Sequence, residues 1–179
     1  MKALNEKIPL DRVGVLVGTS GETRKELEKS TLTKVEIDGK TGDVKITSTK
    51  EDTYNLYRAQ LVVQAIGVGF APLKAFKLLE DDQYLTVINL RDYIEKGKDL
   101  DRQVARIIGT HGKTREEIER NCQASMSVYE EKIGLIANGE GTDLAEKAIE
   151  MLLQGKPQNN VYAYMEKARK EEVERTVKI

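Results

Sequence analysis

Apolar positions change their spacing every few residues along this chain, and the changes run twice in the same order. In the first half, Ile8 to Leu10 reads as a short opening strand and Val13 to Val17 as a short apolar helix. Glu22 to Ser30 has the spacing of an amphipathic helix. Val35 to Asp38 and Val44 to Thr47 alternate apolar and polar residues around Asp38-Gly39 and Thr41-Gly42, the pattern of a hairpin with a short loop. Thr49-x-x-Asp52 has the form of a capping box, opening a helix on which Tyr54, Tyr57, Leu61 and Ala65 share a face. The second half predicts a strand over Tyr84 to Leu90, a short helix over Val104 to Ile108 and a charged helix over Arg115 to Cys122. Met126 to Tyr129 and Ile133 to Ala137 pair as strands. Gly139 and Gly141 predict a turn, Thr142 or Asp143 a cap, and Ala145, Ala148, Ile149 and Leu152 the buried face of a long helix.

Between the halves, Gly67 to Phe70 breaks the chain and Pro72 opens a short helical stretch from Leu73 to Leu79. Gly155-Lys156-Pro157 stops a helix, and Val161 to Val173 is a further charged amphipathic helix that Tyr162, Met165 and Ala168 would pack back onto a module. The expected organisation is a first module at 1–70, a connector at 71–82, a second module at 83–157 and a terminal helix at 158–179.

The duplication is also visible residue by residue. Val17-Gly18-Thr19-Ser20-Gly21-Glu22-Thr23-Arg24-Lys25-Glu26-Leu27-Glu28 aligns with Ile108-Gly109-Thr110-His111-Gly112-Lys113-Thr114-Arg115-Glu116-Glu117-Ile118-Glu119. Both glycines, the Thr-Arg pair and two glutamates recur in register, so one unit has been used twice.

A Gly-x-x-Gly between two helices makes a tight turn without a Cβ at either end, so a sugar-phosphate backbone can come close to the main chain. The helix that follows directs its N-terminus at the same place, where free N–H groups and the dipole favour an anion. One such motif is a common turn. Two in equivalent places, each after a short apolar helix and before helix, strand, strand and helix, point to phosphate binding.

On these residues the chain resembles the KH family, whose core Ile-Ile-Gly-x-x-Gly is matched by Arg106-Ile107-Ile108-Gly109-Thr110-His111-Gly112 and by Val15-Leu16-Val17-Gly18-Thr19-Ser20-Gly21. The resemblance implies an α+β chain of two tandem type I KH domains, each a three-stranded antiparallel sheet backed by three helices, with a C-terminal helix added. It also implies single-stranded RNA as the ligand, about four nucleotides being clamped by each loop. Bases would lie between the short helix and the strand after the charged helix, near Val128 in the second copy. The RNA-binding set is then Gly18, Thr19, Ser20, Gly21 and Arg24 in the first module and Arg106, Gly109, Thr110, His111, Gly112, Lys113, Arg115 and Val128 in the second.

Two departures from the family pattern bear on strength. Neither loop carries a basic residue beyond His111, and Arg24 and Arg115 stand where an apolar residue is common. Glu22 follows the first loop directly, whereas Lys113 follows the second, with Arg102 and Arg106 on the preceding turn. The second loop is expected to bind the tighter; Lys25 and Arg120 are read as solvated helix faces.

The paired modules, the Thr-Arg after each loop and the terminal helix are together similar to the archaeal small-subunit ribosome assembly factors of the partner-of-Nob family. That resemblance covers nearly the whole chain. It implies binding to the 3′-terminal region of small-subunit ribosomal RNA, with the endonuclease that trims that end as a protein partner. Two other readings fit the same residues: a scaffold whose modules dock protein, and an accessory RNA-binding subunit of a decay complex.

Composition narrows the classes. A net charge of −1 excludes a protein that coats nucleic acid by bulk charge, so any RNA site is local. The sole histidine, His111, has no patterned serine or cysteine beside it, and the sole cysteine, Cys122, has no metal-ligand spacing. No enzyme, cofactor or metal is therefore expected. No segment has about 18 consecutive apolar residues and Met1 to Pro9 lacks a secretory apolar stretch, which reads as a cytoplasmic chain without membrane contact.

Overall fold

A computed structural model describes residues 2–48, 52–94 and 99–177. The chain forms two compact units, Met1–Leu85 and Thr86–Ile179. In chain order the elements are β1 (Ala3–Lys7), α1 (Leu10–Val17), α2 (Glu22–Thr31), β2 (Thr33–Ile37), β3 (Asp43–Ser48), α3 (Thr53–Gly67), α4 (Pro72–Ala75), β4 (Tyr84–Asn89), α5 (Leu100–Ile108), α6 (Lys113–Asn121), β5 (Ser125–Tyr129), β6 (Lys132–Ala137), α7 (Gly139–Leu153) and α8 (Gln158–Val177). The two sheets have the same order, β1-β3-β2 and β4-β6-β5, so the duplication read from the glycine motifs extends to topology.

Alternation builds the first sheet. Val35 lies opposite Ile46 and Ile37 opposite Val44, and Val35, Val44 and Ile46 are buried while Lys34, Glu36 and Lys45 face outward. Leu16 of α1, Leu27 of α2 and Leu56, Ala59, Val62, Val63, Ala65 and Ile66 of α3 are fully buried as well. In the second unit one cluster joins Ile107, Ile118, Met126, Ile133, Leu135, Ala145, Ala148, Ile149 and Leu152. Val161 and Met165 of α8 belong to it as well. The terminal helix therefore packs back as its apolar positions predict, with Tyr162 and Ala168 half-buried beside it.

The same recurring glutamate joins helix to strand in both units. Glu28 Oε1 accepts from the Val35 N–H at 2.8 Å, and Glu119 Oε1 from the Met126 N–H at 2.8 Å. Each carboxylate satisfies a strand donor, which explains why this charge recurs on an otherwise solvated helix.

Three local expectations are corrected. The opening strand is Ala3–Lys7, not Ile8 to Leu10. Its mostly polar sequence conceals it, and Pro9 with φ −56° ends the extended run and starts α1 at Leu10. On α3, whose buried side the sequence pattern leaves open, Tyr54 is 61% and Tyr57 54% exposed while Ala65 is buried. The aliphatic stripe Leu56, Ala59, Val63 and Ile66 wins the interior because burying it leaves no hydroxyl to satisfy. The cap of α3 is Asp52, which accepts from Tyr54 N and Asn55 N; Thr49 lies outside the described residues. The cap of α7 is Asn138, whose Oδ1 accepts from Gly141 N at 2.7 Å, and not Thr142 or Asp143. Gly139 and Gly141 are inside the helix; a Cβ on Gly141 would stand 2.2 Å from the Cys122 carbonyl oxygen, so close approach selects that glycine.

Cys122 is buried against Met165, Sγ to Sδ 3.8 Å, and burial pushes its thiol from 9.0 up to about 12. The thiolate is the reactive form, so a thiol reagent at pH 8 is expected to leave the native chain unmodified and to label one site per chain in denaturant. Rapid labelling of the native protein would contradict this packing.

Candidate nucleic-acid interface

The two glycine loops have nearly the same backbone. Gly18 has φ 74° and ψ 173°, and Gly109 φ 78° and ψ 170°. Ser20 and His111 are both left-handed with φ 53°, and Gly21 and Gly112 follow at φ 79° and 77°. A single 3₁₀ turn closes each loop, Gly21 N donating to Gly18 O at 3.2 Å and Gly112 N to Gly109 O at 3.1 Å. The N–H groups of Thr19 and Ser20, and of Thr110 and His111, have no partner among the described residues. Adjacent free N–H groups in a left-handed turn form a concavity that takes an anion.

The two glycines of each motif do different work. A Cβ on Gly109 would stand 2.3 Å from Thr114 Oγ1 and 2.7 Å from Thr114 N; for Gly18 the distances to Thr23 Oγ1 and N are again 2.3 and 2.7 Å. The recurring threonine is therefore wedged under the first glycine. The second glycine has open space: nothing lies within 4 Å of a Cβ on Gly112, and only Lys25 Cε, at 3.7 Å, is near one on Gly21. It leaves room on the side from which a phosphate would approach.

Charge distinguishes the loops. Thr19, Ser20, Thr110, His111, Glu22 and Lys113 are all exposed. Glu22 and Lys113 hold the first position of α2 and α6. Glu22 complements its helix dipole, an arrangement worth about 0.3–1 kcal/mol, but it competes with an anion for the same N-terminus. Lys113 forgoes that stabilisation and leaves the N-terminus positive. Lys25, read from sequence as a solvated residue, instead reaches back to the first loop, Nζ to Ser20 O at 3.3 Å, and supplies part of the charge that Glu22 removes. Arg120 pairs with Glu117 on the surface, as expected.

The remaining predicted residues are placed as follows. Arg115 lies 3.8 Å from Glu119 and is 38% exposed, so its charge is shared. Arg24 is half-buried with its Nε unpartnered among the described residues. The Arg106 guanidinium donates to the Lys156 carbonyl, which leaves only part of it for a ligand. Val128 is half-buried on β5 opposite Ile133, and Val104 and Ile108 of α5 are half-buried too. Sequence reasoning missed Gln158 and read Tyr162 as a packing residue alone; both side chains, on α8, bond to Thr114. The charged pattern of that helix gives no sign of it.

With this geometry in place, comparison with known proteins is decisive. A KH-domain model matches residues 7–61, and a eukaryotic-type KH model of type I, built on the second domain of PNO1, matches residues 84–170. A KH domain-containing protein of Methanocaldococcus jannaschii is 39% identical over 165 residues, covering 91% of this chain and 72% of its own length. The chain belongs to the Dim2/Pno1 family of KH proteins. A crystal structure of an a/eIF2alpha-aDim2p-rRNA complex from Pyrococcus horikoshii contains a family chain 45% identical to this one; the match covers 95% of each chain with a TM-score of 0.90. The pre-rRNA-processing protein pno1 of Emericella nidulans is 26% identical over 137 residues, 75% of this chain and 53% of that one, so the chain spans about half of this fungal Dim2/Pno1 relative.

Proposed function

We propose that this protein binds single-stranded RNA through its glycine loops during small-subunit ribosomal RNA processing, taking the 3′-terminal region of that RNA as its target. The observation that carries the reading is the repeated pair of free N–H groups beside an open glycine, followed by Lys113 in the second loop. Membership of the Dim2/Pno1 family and the relative seen with rRNA support it. The second loop is the stronger binder. The half-buried apolar residues Val104, Ile108 and Val128 line the groove for bases, and a groove of this kind admits unstacked single strands and not a duplex.

The protein works by binding and not by catalysis, in the cytoplasm, beside the endonuclease that processes the same RNA end. Among the described residues no helix is long and apolar enough to cross a membrane and no cluster of ligating side chains could hold a metal ion.

Competition tests the target. A short oligomer of the 3′ tail is expected to bind the full chain better than a composition-matched scramble, because discrimination resides in the apolar groove while phosphate contacts are indifferent to sequence. Lys113→Ala should weaken both oligomers alike. The slope of log affinity against log salt should be shallow, with only a few phosphates neutralised per loop. Equal affinities would leave a general single-strand binder and remove the ribosomal assignment; a steep salt slope would count against the loop clamp.

A further inference from the structure

The second glycine loop is not held by its own turn alone. Gln158 Nε2 donates to Thr114 Oγ1 at 3.0 Å, and the Tyr162 hydroxyl shares a hydrogen bond with the same oxygen at 2.7 Å. Thr114 is buried, and its Oγ1 is the atom against which Gly109 rests. The same stretch of chain also grips the helix before the loop. Gln158 Nε2 reaches the Arg106 carbonyl at 3.2 Å, and the Arg106 guanidinium donates to the Lys156 carbonyl. Residues 156–162 thus hold the loop from both of its flanking helices. Thr23 stands under Gly18 in the same way, but no described residue bonds to its hydroxyl.

We propose that Gln158 and Tyr162 are positioning residues, and that the C-terminal helix presets the second loop in its RNA-binding shape; this rests on the RNA-binding reading above. A threonine hydroxyl with two partners is confined to one rotamer, and that rotamer fixes where the Gly109 backbone lies. The loop includes His111 in a left-handed conformation that costs free energy to maintain, so without a brace it would sample other shapes and would have to be ordered on binding. Bracing removes that ordering cost before RNA arrives. It is a second reason, independent of Lys113, for the second loop to bind more tightly than the first.

Tyr162→Phe removes one hydroxyl and little else, and Gln158→Leu removes the amide at similar volume. In the full chain, the double variant is expected to lose about five- to thirtyfold in affinity for a fluorescent 3′-tail oligomer, the range for one to two neutral hydrogen bonds. Its melting temperature should fall by a few degrees, since a buried hydroxyl loses both partners, while amide exchange at the hydrogen-bonded Gly109, Gly112 and Lys113 accelerates and that at Gly18, Gly21 and Glu22 does not. Thr114→Ser, which keeps the hydroxyl, should retain affinity. If the double variant does not fold, Tyr162→Phe alone gives the same readouts at smaller amplitude. Parental affinity together with unchanged exchange would overturn the positioning role. A parent chain that binds no RNA would overturn the functional reading instead, and exchange at the second loop would still decide the brace.

Discussion

Replacing Thr110 and His111 by two aspartates is expected to weaken single-stranded RNA binding by about 30-fold and to leave the fold intact. Both side chains are exposed, and both flank free N–H groups, so the change places two negative charges where a phosphate would sit. A like charge about 4 Å away costs about 1 kcal/mol in water and about 4 kcal/mol near a protein surface. Screening by salt keeps the sum near the lower figure for each charge. Aspartate tolerates the left-handed conformation at position 111 better than most residues, so backbone strain adds little. The same pair of substitutions at Thr19 and Ser20 should cost less, because Glu22 already lowers the anion affinity of that loop and the C-terminal brace is absent there. Fluorescence anisotropy against a 3′-tail oligomer, with circular dichroism melts of each variant, measures both effects. Greater sensitivity at the first loop would show that local charge and bracing do not rank the modules.

Gly109→Ala is expected to destabilise the second module by about 3 kcal/mol or more, whereas Gly112→Ala should cost only about 1–2 kcal/mol. Both glycines have a positive φ, so strain alone does not separate them. What separates them is space. A Cβ on Gly109 meets Thr114 at 2.3 and 2.7 Å, and one of those atoms is backbone that cannot rotate away; a Cβ on Gly112 meets nothing within 4 Å. Gly18 and Gly21 should show the same order, since the distances under Gly18 are the same. The effect on RNA runs the other way. Gly112→Ala leaves a nearly stable module with a methyl group in the phosphate approach, so its affinity should fall more than its stability does. Urea midpoints and oligomer titrations on the same variants test the division of labour, and equal destabilisation at both glycines of a motif would refute the wedge.

The repeat made the loops and the element order legible, because Gly-x-x-Gly, the Thr-Arg pair and the change of spacing from helix to strand are local patterns. Lys113 and Glu22 could be ranked for the same reason: each is one residue from its loop. The first strand was not legible because Ala3–Lys7 is polar along most of its length and is held by pairing with β3, Leu4 opposite Ile46 and Glu6 opposite Val44. Which side of α3 is buried was not legible either, because two stripes on that helix are apolar enough to be buried, and only the sheet and helices around it select between them.

Local sequence, then, sufficed for the two modules, their glycine loops and the sign of charge beside each, since all of these are matters of neighbours in the chain. Tertiary structure alone assigned the two glycines of each motif to different tasks, showed Thr114 under Gly109 and brought Gln158 and Tyr162 onto its hydroxyl across 44 and 48 residues. Nothing in the spacing of a charged helix encodes such a bond. It exists because burying Val161 and Met165 in the core of the second module fixes the rotation of α8, and that rotation carries Gln158 and Tyr162 to Thr114.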